Sequence, residues 1–513
     1  MEHITLLIGI VIVTALVFDF TNGFHDTANA MATTISTGAL GPRVAVAMSA
    51  VLNLVGAFLS VEVAKTISGG IIDEDSGIRP EVIFAGLVGA ILWNLVTWLA
   101  GLPSSSSHAL FGGLIGATVV SVGLDGVNGD AIVMKVLIPA VAAPVVAGIA
   151  TVAATRLTYR LGRGRSSEDT AKGYRAGQIA SAALVSLAHG TNDAQKTMGV
   201  ITLALVTGGV VAPDSDPPLW VIVSAGLAIA LGTYLGGWRI IRTMGKGITD
   251  IQPPQGFAAQ TGAATVILAS SHIGFALSTT QVCSGAVMGA GVGRKGAVVR
   301  WSTAGRMVVA WVLTLPAAGL VAGAAALLAD QGNAGITAVA VLAVLACGAI
   351  WALSRRKPVD HTNVNEVGVP EPVGAVTAAL RSVAPPPAGA KPSAPESAVE
   401  AAPRAASPST HPSRSPPPPP RAAPPAKEPR NMSIDWAALG QVFGVSLVVT
   451  VGMVGVFTLG ILGTSRKAAP EQGGAAAVSG GAVGASALAR TGAYTCFALC
   501  AAAVAYGIYL IVA

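Results

Sequence analysis

Between Phe18 and Ala30 the chain reads FDFTNGFHDTANA, and this stretch follows without a break from an apolar run that opens at Ile4. Asp19, Asn22, His25, Asp26 and Asn29 therefore fall where the sequence is otherwise built for a lipid interior. Composition supports that setting. Of 513 residues 52% are hydrophobic and 11% charged, against roughly 25% charged in soluble domains, and the mean hydropathy is +0.66. Ionisable groups inside a bilayer span are costly and are expected to face a site or a water-filled path. The stretch returns, altered, as AHGTNDAQKTMG from Ala188 to Gly199. With Gly23 set on Gly190, Asp26 falls on Asp193, His25 on Asn192 and Asn29 on Lys196. Matching polar interruptions in two halves of a membrane chain point to the substrate site of a transporter.

Apolar runs long enough for a bilayer core of about 30 Å are read near 4–22, 43–61, 82–100, 108–124, 131–155, 178–207, 219–238 and 257–277. Shorter or later ones lie near 279–292, 304–328 and 335–354. The formal net charge of +6 is informative through its loop positions and does not argue for nucleic acid. Arg156, Arg160, Arg163, Arg165, Lys172 and Arg175 crowd one connection, and Arg239, Arg242, Lys246, Arg294, Lys295, Arg300 and Arg306 two later ones, so these are expected in the cytoplasm. Asp73, Glu74, Asp75, Asp125, Asp130, Asp214 and Asp216 mark the other side. Threading the runs through these assignments sends the first motif inward and its copy outward. The chain is thus expected to be an all-α polytopic membrane protein of two inverted-topology repeats, 1–170 and 171–356, with discontinuous or re-entrant helices.

A second repeated pattern supports the first. GLPSSSSHALFGGLIG (Gly101–Gly116) and GFALSTTQVCSGAVMG (Gly274–Gly289) each set consecutive hydroxyl residues at the start of a short glycine-rich run. A helix beginning at Ser or Thr presents free N–H groups and its positive dipole end, which suits an anion. Lys196, where the first half has Asn29, suits either a transported anion or the place of a bound cation. His25, His108, His189 and His272 lie in or beside these motifs, and histidine exchanges protons near neutrality; Asp26 and Asp193 are the alternative proton carriers.

From 357 to 431 the sequence turns to Pro, Ala and Ser, including Pro416–Pro420, and reads as a disordered linker. Arg355–Lys357 place it in the cytoplasm. Two further apolar runs, 436–463 and 488–512, read as a C-terminal two-helix hairpin spanning 432–513. The four cysteines all sit in apolar runs, so no disulfide framework is expected.

At DFTNGFHDTANAMAT, WNLVTWLAGLPSSSSHALFGG, SLAHGTNDAQKTMG and GFALSTTQVCSGAV the chain resembles the inorganic phosphate transporter (PiT) family, in particular its bacterial low-affinity branch. The resemblance covers roughly 1–355. It implies a homodimer in the plasma membrane that carries phosphate in symport with a cation, with no enzyme activity and no resident cofactor or metal. The HGTNDAQK form resembles proton-coupled members, which can take phosphate as a neutral complex with a divalent metal; sodium coupling, or sulfate as the anion, is the alternative. Carried over by motif, phosphate falls to Asp26, Asn29, Ser105, Ser106, Ser107, Asp193, Lys196, Ser278, Thr279 and Thr280. The coupling cation or proton falls to Asn22, His25, Asp26, His108, Asn192 and Asp193. Gln281 stands where the family commonly has His. A hydrolase built from Ser106, His108 and Asp26 is disfavoured because no strained nucleophile turn is evident, and a passive anion channel is the remaining rival.

Overall fold

The computed structural model describes residues 6–70, 78–163, 167–212, 215–272, 275, 277–366, 436–465 and 487–512. The first half comprises α1 (Leu6–Ser36), α2 (Pro42–Gly56), α3 (Glu62–Gly70), α4 (Pro80–Leu99), α5 (Ser106–Ser121) and α6 (Gly129–Leu161), the last with a π turn at Val133–Leu137. The second comprises α7 (Ser167–Thr207), α8 (Leu219–Leu235), α9 (Trp238–Gly247), α10 (Pro253–His272), α11 (Thr279–Gly293), α12 (Trp301–Ala329) and α13 (Asn333–Ser354). The hairpin is α14 (Trp436–Thr464) and α15 (Ala487–Val512). Among the described residues, seven helices are long and apolar enough to cross a membrane, and eight if α8 and α9, bent by 60° at their junction, count as one span. Gly236 makes that bend with φ +73°, a left-handed backbone that suits glycine.

The polar motifs do not interrupt their helices. α1 runs 31 residues through FDFTNGFHDTANA, and α7 runs 41 through its copy. The discontinuities lie instead at the hydroxyl clusters, where α5 and α11, of 16 and 15 residues, begin deep in the protein behind buried Ser105 and Ser278.

α1 and α7 cross antiparallel: Asp26 meets His189, and Ile8 meets Gly208. The two halves exchange their closing helices. α6 packs on α10 and α11, while α12 packs on α4 and α5. Glycines at four-residue spacing set both contacts. A Cβ on Gly112 or Gly116 of α5 would stand 2.3 or 2.2 Å from the carbonyls of Leu315 and Gly319. One on Gly285 or Gly289 of α11 would stand 2.3 Å from those of Pro144 and Gly148. With no hydrophobic force between helices in lipid, such small-residue seams supply association through close backbone packing. Their equivalence in both halves is the packing form of the inverted repeat.

The hairpin packs through α14 on α6 and α10, where the Phe457 ring lies between those of Phe257 and Phe497, tilted to both, at centroid distances of 4.7 and 5.1 Å. All four cysteines are free. Beyond α13 the described residues continue to Glu366, into the segment expected as linker from 357. Arg239 donates to the carbonyls of Ser354 and Lys357 at 2.8 and 2.5 Å, and Val364 is buried. Residues 367–431, the rest of that expected linker, and 432–435, at the start of the expected hairpin, lie outside the described residues.

Gly116→Val or Gly289→Val should force its seam apart at a cost of about 1–3 kcal/mol. The expected result is a lowered melting temperature of the detergent-purified protein for both variants, with Gly9→Ala, whose added Cβ meets nothing within 4 Å, unchanged.

Candidate functional site

The two short helices meet end to end. Ser105 Oγ caps α5 by accepting from His108 N at 3.1 Å, and Ser278 Oγ caps α11 by accepting from Gln281 N at 3.3 Å. Each cap sets its first turn, so the next hydroxyls and the positive dipole end face the partner helix start. The starts are close enough for Ser107 Oγ to reach the Leu277 carbonyl at 3.4 Å and for the His108 ring to lie 3.4 Å from Gln281 Nε2. Gln281, where the resemblance leads one to expect His, is thus the partner of His108.

The motif helices α1 and α7 bring their carboxylates to this meeting point. Asp26 Oδ1 accepts from Thr280 Oγ1 at 3.2 Å, and Asp193 Oδ2 from Thr279 Oγ1 at 2.8 Å. Asn29 Nδ2 donates to Thr280 Oγ1 at 3.0 Å and to Thr279 Oγ1 at 3.4 Å. Its counterpart in the second half, Lys196, is fully buried and ion-pairs Asp193. Lys196 Nζ also donates to Ser107 Oγ at 2.6 Å and to the Leu277 carbonyl at 3.0 Å. The repeat symmetry is visible here: the α1 residue reaches the α11 hydroxyls, and its α7 counterpart reaches an α5 hydroxyl.

Each motif carries a further group turned to its own half. His25 Nδ1 lies 2.6 Å from Asp26 Oδ1 and 3.5 Å from Ser106 Oγ, and its Nε2 faces Ser104 Oγ and Thr97 Oγ1 at 3.3 and 3.4 Å. Asn192 Nδ2 donates to Ser271 Oγ at 2.9 Å. His189 was outside the expected site list, yet its Nε2 stands 2.8 Å from Asp193 Oδ2 and 4.0 Å from Asp26 Oδ2. On its other side Nδ1 lies 3.2 Å from Asn53 Oδ1. Asp26, His189 and Asp193 present ligand atoms within 4.8 Å of one another, an arrangement able to receive a cation. Asn29 Oδ1 and Asn192 Oδ1 are buried without hydrogen-bond partners among the described residues, so polar capacity is left over there.

Of the residues expected from sequence, Asp26, Asn29, Ser107, Asp193, Lys196, Thr279 and Thr280 share one polar network. Ser105 and Ser278 act through the backbone as caps, His25 and Ser106 flank the Asp26 side, and His108 lies across from Gln281. Asn192 faces the link before α11, and Asn22 Oδ1 is buried and unpartnered. His272 is elsewhere, on an apolar groove of about 440 Å³ between α10, α14 and α15. Ser106 lies by His25 while the His108 ring faces Gln281, so the Ser106–His108–Asp26 arrangement of a hydrolase does not form. Thr97, Asn53 and Ser271 escaped the sequence reading because single hydroxyls and amides outside a repeated motif carry no signal of their own, and Ser104, the first serine of the SSSS run, is given no separate role there.

A family model for the "Phosphate transporter family" matches residues 22–322. A protein of Mycobacterium bovis described as a "Probable low-affinity inorganic phosphate transporter" is 58% identical over 76% of this chain and 93% of its own length. Proteins of the same description from Rhizobium meliloti and Bacillus subtilis are 44% and 41% identical, each over 62% of this chain and 94% and 95% of their own lengths. Among solved structures, "The sodium-dependent phosphate transporter" aligns with a TM-score of 0.57 at 24% identity, covering 64% of this chain and all of that one.

Removing one member of a buried ion pair strands its partner's charge, at about 3–5 kcal/mol. Lys196→Met and Asp193→Asn should each lower thermal stability markedly, and the double variant should recover most of the loss. Additive losses in a thermal-melt double-mutant cycle would contradict the pairing.

Proposed function

The chain belongs to the phosphate transporter family, and from that premise we propose that it imports inorganic phosphate by symport with a cation. It is a secondary active transporter and not an enzyme. The observation that carries the reading is Lys196, a fully buried ammonium held between Asp193 and the hydroxyl-rich start of α5. Without substrate it neutralises Asp193. A phosphate arriving at the two helix starts finds Ser107, Thr279, Thr280 and Asn29 as donors and competes for the Lys196 charge. Asp193, and Asp26 beside it, then need a new positive partner, because uncompensated charge in a membrane interior is costly. Phosphate entry thereby creates the demand for a cation, which is the physical content of symport.

Two cations suit that demand. A proton is favoured by His25 and His189, each against one of the two carboxylates. Sodium is favoured by the unpartnered Asn29 and Asn192 oxygens, which with the carboxylates form a hard oxygen set. A divalent metal entering with phosphate has Asp26, His189 and Asp193 as its nearest ligands. The same reading places the protein in the plasma membrane as a homodimer, with the 357–431 segment cytoplasmic. Rocking of one helix bundle against the other alternates access to the site.

Labelled phosphate uptake into proteoliposomes tests the proposal. Concentrative uptake driven by a proton gradient alone assigns the proton, uptake that requires a sodium gradient assigns sodium, and uptake indifferent to both makes the protein a channel. Asp26→Asn should reduce uptake to background in protein still present in the membrane; normal uptake in that variant refutes the site. Excess sulfate should leave phosphate uptake unchanged, and strong competition would move the substrate to sulfate.

A further inference from the structure

Asp19 is a titratable group that the transport site does not use. It precedes Asp26 by seven residues on α1, which at 3.6 residues per turn sets it on the same face about 10 Å along the axis. It is completely buried, and neither of its carboxylate oxygens has a hydrogen-bond partner among the described residues. Beside the carboxylate stand Asn22, one turn on along α1, and Thr197, one turn beyond Asp193 on α7. Asn22 Oδ1 and Thr197 Oγ1 are themselves buried and unpartnered. The Asn22 and Thr197 side chains lie near enough to act on the Asp19 carboxylate, yet none of these four oxygens makes a well-aligned hydrogen bond among the described residues, so they gather from two helices around one buried charge. The charged groups that act on Asp19 are Asp193 and Lys196 on α7. Lys196 is already engaged by Asp193, Ser107 and the Leu277 carbonyl, so it does not discharge Asp19.

A bare carboxylate at membrane depth is among the costliest features that a protein can hold, and such groups pair or bind. Resting on the transporter reading above, we propose that Asp19, Asn22 and Thr197 form a binding site for one small monovalent cation, separate from the Asp26–His189–Asp193 cluster. The single carboxylate sets the charge at one, and the all-oxygen set suits a hard ion such as Na⁺. A proton meets the same need by giving Asp19 an O–H that donates to Asn22 Oδ1 or Thr197 Oγ1. Because α1 and α7 are antiparallel, Asp19 and Thr197 are displaced from the central carboxylates in the same direction, toward the end of the bundle where Ile8 meets Gly208. The site therefore lies in line with the cluster between it and that end, and a bound cation ties the two motif helices together.

The test measures two quantities on wild type, Asp19→Asn and Asp19→Glu. These are radioactive sodium bound per chain to the purified protein, and protons moved per phosphate in proteoliposomes. One of the two should fall by one in Asp19→Asn and be restored in Asp19→Glu. A fall in bound sodium identifies the ion as Na⁺, and a fall in the proton ratio identifies it as a proton. Wild-type values of both in Asp19→Asn overturn the proposal. Should Asp19→Asn fail to fold, Thr197→Val keeps the carboxylate and serves in its place. Loss of one ligand should weaken apparent cation affinity by roughly tenfold, and unchanged affinity for both ions overturns the proposal equally. If the wild type fails to move phosphate yet binds sodium in an Asp19-dependent way, the transporter reading falls and the cation site stands.

Discussion

Two carboxylates, Asp26 and Asp193, sit fully buried at the centre of a bundle built for lipid, and the arrangement around them answers their cost. An ionised group taken out of water loses several kcal/mol that only close partners return. The chain supplies partners from every direction: Lys196 and His189 from α7, His25 from α1, Thr279 and Thr280 from the start of α11. These groups reach the carboxylates only because α5 and α11 begin inside the protein. Helices that ran uninterrupted past the site would present a sealed backbone there, with neither free N–H groups nor a capping hydroxyl.

That geometry in turn depends on the close packing of the broken helices. Gly112 and Gly116 against α12, and Gly285 and Gly289 against α6, leave no space for a side chain in either seam. Each short helix is clamped by the closing helix of the other half's sequence. The polar centre is therefore shared between halves through both its packing and its hydrogen bonds. Such cross-bracing means that neither half holds its helix start in position by itself, and relative movement of the halves must alter the site.

The asymmetry between the halves is as informative as the likeness. Asn29 and Lys196 hold equivalent places, yet one is a neutral donor and the other a charge. His25 and Asn192 are likewise equivalent, and one carries a titratable ring where the other carries an amide. His108 and Gln281 face each other across the two helix starts. Duplication built a symmetric cradle, and these exchanges give it a direction in charge: a compensating cation on the second-half side, and imidazole groups beside both carboxylates.

Much of this was legible in the amino-acid order. Composition required a membrane protein, loop charges implied inverted repeats, and the two motif pairs marked the residues that meet at the centre, because repetition separates a functional polar residue from an incidental one. Residues inside the motifs but without a matching residue in the other half were visible, yet their roles were not. His189 stands inside AHGTNDAQKTMG, but its position against both carboxylates follows from the antiparallel crossing of α1 and α7. Asp19 falls opposite Ser186 of the second half, so its charge was legible but its separate place was shown by its burial and the absence of an aligned hydrogen bond among the described residues. The apolar run read near 4–22 ends inside FDFTNGFHDTANA, whereas α1 continues through it to Ser36; the run read near 178–207 passes through AHGTNDAQKTMG, as α7 does. A polar side chain changes which way a helix faces and leaves its backbone bonds intact, while the helix starts are set by capping serines. The sequence determined which groups must be kept from lipid; the tertiary structure decided which of them meet, because that depends on how closely glycine-lined helices from the two halves approach.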